Sequence, residues 1–212
     1  MEELFPLVNE QGDLIGKASR KLCHSGSFYL HPVVHLHVFN ALGQLFLQKR
    51  SLSKDIQPGM WDTSVGGHVD FEETVGFTET DSVITATGST SGSVTTANSD
   101  SVAGSAAANS VAPAPWVLSA LQREAREELG IIGFTPLFVM RYPFQSAFER
   151  ELVHTFFTVF EDPIVIDPVE ISEGRFWDPS EILTNLGKGV FTPNFEEEIP
   201  KVLEAFFGFT LK

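Results

Sequence analysis

The sequence predicts an α/β protein, helices packed on both sides of a mixed β-sheet, and three observations carry that prediction. Short apolar runs set off by Gly-containing turns fill the first 70 residues and recur after residue 136. Two stretches, near residues 116–130 and 193–207, instead repeat their apolar positions at helical spacing. No regular strand-helix-strand rhythm links them, so an all-parallel sheet is not expected. With 212 residues, 42% apolar and 19 Phe, the chain is long enough to bury one sizeable core.

In chain order, Leu7-Val8 and Leu14-Ile15 flank Gly12 and read as a β-hairpin. Residues 19–31 are polar with weak periodicity and read as a connection. Val33–Phe39, the turn Asn40–Gly43, and Gln44–Arg50 read as strand, turn, strand. Arg50 and Lys54 then stand at a strand end and in the following loop. They are candidates either for contact with a phosphate or for an ordinary solvated strand end. Pro58–Asp62 turns into a strand over Thr63–Val69, where Gly66 and Gly67 permit close backbone approach. Residues 76–115 are foreign to their surroundings: Ser, Thr, Ala, Gly, Val and Asn dominate, and Lys and Arg are missing. Such a segment buries too little apolar surface to offset its ordering entropy, so it is expected to be a loosely ordered, tolerated insertion within a single domain spanning 1–212.

Pro115 suits the first position of a helix that Gly130 stops. Strands follow over Leu137–Phe144 and Phe148–Phe160, then an edge strand over Glu173–Trp177. A short helix is capped by Asp178, and a last helix starts at Pro193. In that last helix Phe195, Ile199, Val202, Leu203 and Phe206 form an apolar stripe, with a break or kink expected at Pro200.

Chemistry concentrates in two pieces. The first is Gly66-Gly67-His68-Val69-Asp70-Phe71-Glu72-Glu73; the second is Arg123-Glu124-Ala125-Arg126-Glu127-Glu128-Leu129-Gly130-Ile131. Glu124, Glu127 and Glu128 stand at i, i+3 and i+4, on one helix face. Three carboxylates there repel and call for a counter-charge, usually a hard divalent cation held by oxygen ligands. Arg123 is placed to brace one carboxylate. Joined, the pieces resemble the Nudix box: Gly, five residues, Glu, seven residues, then Arg-Glu-(apolar)-x-Glu-Glu-x-Gly-(apolar). Between Glu73 and Arg123 stand 49 residues where the family has seven, an excess of 42.

The resemblance implies a Nudix-type α/β/α sandwich and a Mg²⁺-dependent hydrolase (Mn²⁺ as substitute) that cleaves a diphosphate linkage in a small phosphorylated metabolite or nucleotide. It implies Glu124, Glu127 and Glu128 as metal ligands, Glu124, Glu127, Glu73 and Arg123 as the catalytic set, and Arg50, Lys54, Gly66 and Gly67 as substrate contacts. The run Phe39 to His68 further resembles the branch that includes isopentenyl-diphosphate isomerase, which implies a second metal site from His31, His68, Glu149 and Glu151. That isomerase needs a cysteine where this chain has Gly66, which favours hydrolysis over isomerisation. A non-catalytic ligand-binding domain is the third reading, since the extra residues lie inside the box.

Composition restricts partners. Fourteen Lys and Arg against 28 Asp and Glu, a net charge of −14, argue against holding nucleic acid by its phosphates. A single cysteine, Cys23, excludes an intrachain disulfide and, with neither a signal peptide nor a membrane-length apolar run in view, points to a reducing cytoplasm. Exposed hairpin edges suggest a homodimer.

Overall fold

A computed structural model describes residues 2–54, 56–76, 84–85 and 112–210. In chain order the elements are β1 (Leu4–Val8), β2 (Leu14–Ser19), α1 (Arg20–Cys23), β3 (Leu30–Phe39), β4 (Leu45–Arg50), β5 (Trp61–Asp62), β6 (Val65–His68), α2 (Phe71–Thr74), β7 (Ile84–Thr85), α3 (Pro115–Leu129), β8 (Leu137–Gln145), β9 (Arg150–Val159), β10 (Ile171–Trp177), α4 (Pro179–Asn185) and α5 (Pro193–Thr210). The foreign segment lies almost wholly outside the described residues. Of its described part, Ile84 and Thr85 run parallel to Gly16 and Lys17 of β2.

Two sheets form. The antiparallel hairpin β1–β2 takes β7 as a third strand, and a seven-stranded sheet runs β10-β4-β3-β9-β8 with β5 on β4 and β6 on β3. β3 and β9 are parallel over ten residue pairs, Leu30↔Arg150 to Phe39↔Val159, while their other neighbours are antiparallel, so the sheet is mixed. Alternation of side chains along the strands separates two cores. Val34, Leu36 and Val38 of β3, with Phe46 and Phe156, meet Trp116, Val117, Ala120 and Leu121 of α3. Phe39, Leu45, Leu47 and Phe157 meet Phe195, Ile199, Val202 and Phe206 of α5 on the opposite face. Helices thus cover both faces, the expected α/β/α sandwich.

Three expectations change. Residues 19–31 are not a plain connection: the Ser19 hydroxyl accepts from the Leu22 N–H at 3.3 Å and caps α1, and β3 already begins at Leu30. β3 is buried along its whole length, so Leu30, His31 and Pro32 show no surface alternation that would have extended the strand expected over Val33–Phe39. The strand expected over Thr63–Val69 shortens to β6, preceded by the two-residue β5. Finally, α5 runs through Pro200 without a break, because buried Ile199, Val202 and Leu203 hold both halves against the sheet. The ends of α3 follow the sequence: Pro115 in the first turn and Gly130 as a left-handed cap at φ 66°.

One buried group in this frame makes a testable acid sensitivity. His154 on β9 is buried, with its Nδ1 3.1 Å from the Leu152 carbonyl. Burial, then the charge of Arg141, lowers its pKa from 6.5 to about 4. The unfolded chain therefore takes up this proton first. Stability from the neutral ring is complete above the unfolded value, about pH 6.5, and is lost as pH falls through the folded value. His154→Gln is expected to lose less urea stability than the wild type on going from about pH 7 to about pH 4. Equal losses in the two proteins would remove His154 from the account.

Candidate active site

α3 lies over β6 and β3, and the alternation of β6 sorts its residues between the two faces. Gly67 pairs with Val34 and faces the helix; Gly66 and His68 pair with His35 and Val33 and face the other way. The helix comes so close that a Cβ on Gly67 would overlap the carboxylate of Glu124. Glycine is needed there for clearance rather than for a special backbone angle.

Arg123 ties the two pieces of the box together. Its Nε donates to Glu73 Oε1 at 3.0 Å and its Nη2 to Glu73 Oε2 at 3.2 Å, a fork that holds the carboxylate by both oxygens. Nη1 donates to Glu124 at 2.8 Å and to Glu127 at 3.3 Å, and Nη2 also reaches the His68 carbonyl at 2.8 Å. Glu73 in turn accepts from the Asp70 N–H at 2.9 Å, closing the capping box of α2. Both oxygens of Glu73 are thereby engaged, and the residue acts here as a brace.

Glu124 and Glu127 share this one guanidinium with Glu73, and Glu128 accepts no hydrogen bond from it. Glu127 is half exposed at the cavity rim. Glu128 is 7% exposed, and its Oε2 accepts only from neutral donors, the Gln48 amide at 3.0 Å and the Gly66 N–H at 3.2 Å. Burial, then the neighbouring charge of Glu124, pushes the Glu128 carboxyl up to about 8. Burial also raises Glu124, against the opposing pull of Arg123. A buried carboxylate beside a second one, at the wall of an 800 Å³ cavity, fits a divalent cation with oxygen ligands.

A second group lies where β3, β6 and α1 meet. One ligand atom from each of His24, His31, His68 and Glu149 can be chosen so that all lie within 4.8 Å of one another. His24 Nε2 is 3.2 Å from His68 Nε2 and 3.1 Å from Glu149 Oε2. Burial lowers the pKa of all three histidines, to about 4 for His31, so the rings are neutral and the contact between His24 and Glu149 is not a charged pair at neutral pH. Among the described residues His31 Nε2 is buried without a hydrogen-bond partner, and Glu149 Oε2, although 3.1 Å from His24 Nε2, makes no hydrogen bond to it. Neutral imidazoles beside orphaned buried atoms are what a metal ion would satisfy. Three of the four expected ligands, His31, His68 and Glu149, converge, but Glu151 stands outside the group, accepting from the Asn194 amide at 3.0 Å. His24 takes the fourth place. Nothing in its polar, aperiodic stretch marked it; only the short turn of α1 carries it beneath β6.

Arg50 and Lys54 do line the cavity, but each already has a carboxylate. Arg50 Nη1 donates to Asp62 at 3.0 Å, and its Nε holds the Ile56 carbonyl at 3.1 Å; Lys54 pairs with Glu170. Among the described residues no helix is long and apolar enough to cross a membrane.

No family model matches the chain. It is 36% identical over 74 residues to an isopentenyl-diphosphate Δ-isomerase of Enterobacter sp. strain 638, a match spanning 35% of this chain and 40% of that protein. Similarity over 91% of the chain and 82% of the relative is found, at 24% identity, with the uncharacterized Nudix hydrolase YfcD of Escherichia coli K12. Among solved structures, DR0079 from Deinococcus radiodurans superposes with a TM-score of 0.63 at 22% identity, covering 94% of this chain and 98% of that one. At that identity the likeness is one of fold.

Proposed function

We propose that this chain, which has the Nudix hydrolase fold, is a divalent-metal-dependent hydrolase cleaving a diphosphate linkage in a small phosphorylated metabolite or nucleotide. The observation that supports this best is buried Glu128, held by the neutral donors Gln48 and Gly66, beside a Glu124 that shares the single guanidinium of Arg123 with Glu73 and Glu127. Glu124, Glu127 and Glu128 would hold Mg²⁺ or Mn²⁺, hard ions matched to oxygen donors. Bound there, the cation supplies neutralisation of the diphosphate charge and a more acidic water. The chain's own part is positional. Arg123 fixes Glu124 against the Gly67 backbone, and Gly66 holds Glu128 through its N–H. His24, His31, His68 and Glu149 form a mixed nitrogen and oxygen set suited to a second, softer ion.

The isomerase reading has the Enterobacter relative in its favour and the thiol against it. Gly66 cannot move a proton. The one cysteine, Cys23, is buried, and its thiol is pushed up to about 11 by burial and then by Glu149, which leaves it unreactive at neutral pH.

The test is release of phosphate or pyrophosphate with Mg²⁺ across nucleoside di- and triphosphates, sugar nucleotides, dinucleoside polyphosphates and isopentenyl diphosphate. Wild type, Glu127→Gln and a chain lacking residues 76–115 are compared. Turnover by the wild type that falls by roughly 10²-fold in Glu127→Gln is expected. Silence from the wild type with activity in the shortened chain would make the inserted segment an inhibitor of a competent site. Silence from both would sink the hydrolase.

A further inference from the structure

Two more histidines of β3, His35 and His37, face α5 and meet one carboxylate, that of the wholly buried Glu198. Glu198 Oε1 accepts from His35 Nδ1 at 3.0 Å and from His37 Nε2 at 2.9 Å; Oε2 accepts from the Thr155 hydroxyl at 2.9 Å and the Tyr142 hydroxyl at 3.4 Å. Four donors on one carboxylate fix its orientation, and with it the orientation of the His35 ring. Because Nδ1 is committed to Glu198, the other ring nitrogen is available elsewhere. A Cβ on Gly66 would stand 3.6 Å from His35 Cδ2 and 3.7 Å from Nε2, so this edge of the ring lies along the open backbone of Gly66. His35 and Gly66 both line the cavity that holds Glu124 and Glu128.

The site needs such a donor. A diphosphate entering this cavity meets several carboxylates, and the described cations that line it are each already paired: Arg20 with Glu3, Arg50 with Asp62, Lys54 with Glu170, Arg123 with Glu73 and Glu124. His35 differs because its carboxylate partner sits behind the ring, at the nitrogen away from Gly66. Burial disfavours a charge on the imidazole, but the charge and hydrogen bond of Glu198, helped by Asp62 and Glu151, outweigh it and hold the pKa up at about 9. Both ring nitrogens then carry protons.

We propose that His35 contacts the substrate, its Nε2–H donating a hydrogen bond to an anionic oxygen of the diphosphate, with Glu198 as its positioning residue. The assignment rests on the hydrolase reading above. It bears on Gly66 as well: a methyl there meets the ring only at ordinary contact distance, whereas a longer side chain has the donating edge of the ring within reach.

The experiment uses the full chain labelled with ¹⁵N-histidine, titrated with Mg²⁺ and then with methylenediphosphonate, a diphosphate that cannot be hydrolysed. The Nε2 resonance of His35, assigned by its absence from His35→Gln, is expected to move on addition of the diphosphonate and not with Mg²⁺ alone. On the best substrate of the panel, His35→Gln is expected to turn over about 10²-fold more slowly, with its Mg²⁺ affinity unchanged. In Glu198→Gln the same resonance is expected at the neutral-imidazole position before any ligand is added, a signature that mere loosening of packing would not produce. Should His35→Gln fail to fold, the resonance that moves in Glu198→Gln and persists in His37→Gln is that of His35, and the wild-type titration decides. Calorimetric binding of the diphosphonate with no movement of His35, or wild-type turnover in His35→Gln, would overturn this proposal and leave the hydrolase standing. A wild type that neither binds the diphosphonate nor hydrolyses any substrate would overturn both.

Discussion

Gly67→Ala is expected to leave the fold in place and to reduce metal-dependent turnover by about 10²-fold. Gly67 is not among the residues with positive φ, so alanine meets no backbone strain. Its methyl group would instead occupy the position of the Glu124 carboxylate. The overlap reaches Glu124 Cγ as well as the carboxylate, so the side chain must turn aside as a whole and give up a charged hydrogen bond, at a cost of about 1–2 kcal/mol. Turning aside also withdraws Glu124 from Arg123, 2.8 Å away, and from the acids of α3 that line the cavity. Urea denaturation should therefore show a folded protein with a modestly lowered midpoint, while metal titration and turnover weaken far more. Wild-type activity in Gly67→Ala would mean that the position of Glu124 does not matter to the reaction.

Arg123→Met is expected to be the more damaging change for stability, costing about 3 kcal/mol. The guanidinium is about three-quarters buried and serves Glu73, Glu124, Glu127 and the His68 carbonyl together. Without it, Glu73 and Glu124 remain largely buried with no counter-charge, and the capping box at α2 loses its link to α3. Arg123→Lys should recover only part of the loss, because an ammonium cannot make the two-pronged contact to Glu73. Millimolar Mg²⁺ should restore part of the stability of Arg123→Met, since a cation that binds only the folded state stabilises it by mass action. The measurement is urea unfolding of wild type and both variants with chelator and with Mg²⁺. An Arg123→Met protein as stable as wild type in chelator would refute the bracing role.

Both arguments concern residues that local sequence logic singled out. Pro115, the acids at i, i+3 and i+4, and Gly130 specified α3 because helix start, face and stop are local properties. The apolar stripe of α5 and the opening hairpin were legible for the same reason. The pairing of Glu73 with Arg123 could be suspected from the split box, although only the folded chain brings residues 50 positions apart within 3.0 Å.

Other features depended on contacts that no local pattern records. Glu198 carries no local signal, yet it is fully buried, because α5 covers the sheet face on which His35, His37 and Thr155 project. Arg50 and Lys54 read as free positive charge, and the fold gave each a carboxylate from distant sequence, Asp62 through the β4–β5 pairing and Glu170 from the segment before β10. His24 entered the histidine group, and Glu151 turned away from it toward Asn194 at the start of α5. Thus the sequence by itself determined the elements, the acidic helix and the glycine beneath it, since periodicity and caps act within a few residues. Which charges were cancelled and which histidines met was decided only by the tertiary structure, because burial and long-range strand register set the electrostatic partner of each group.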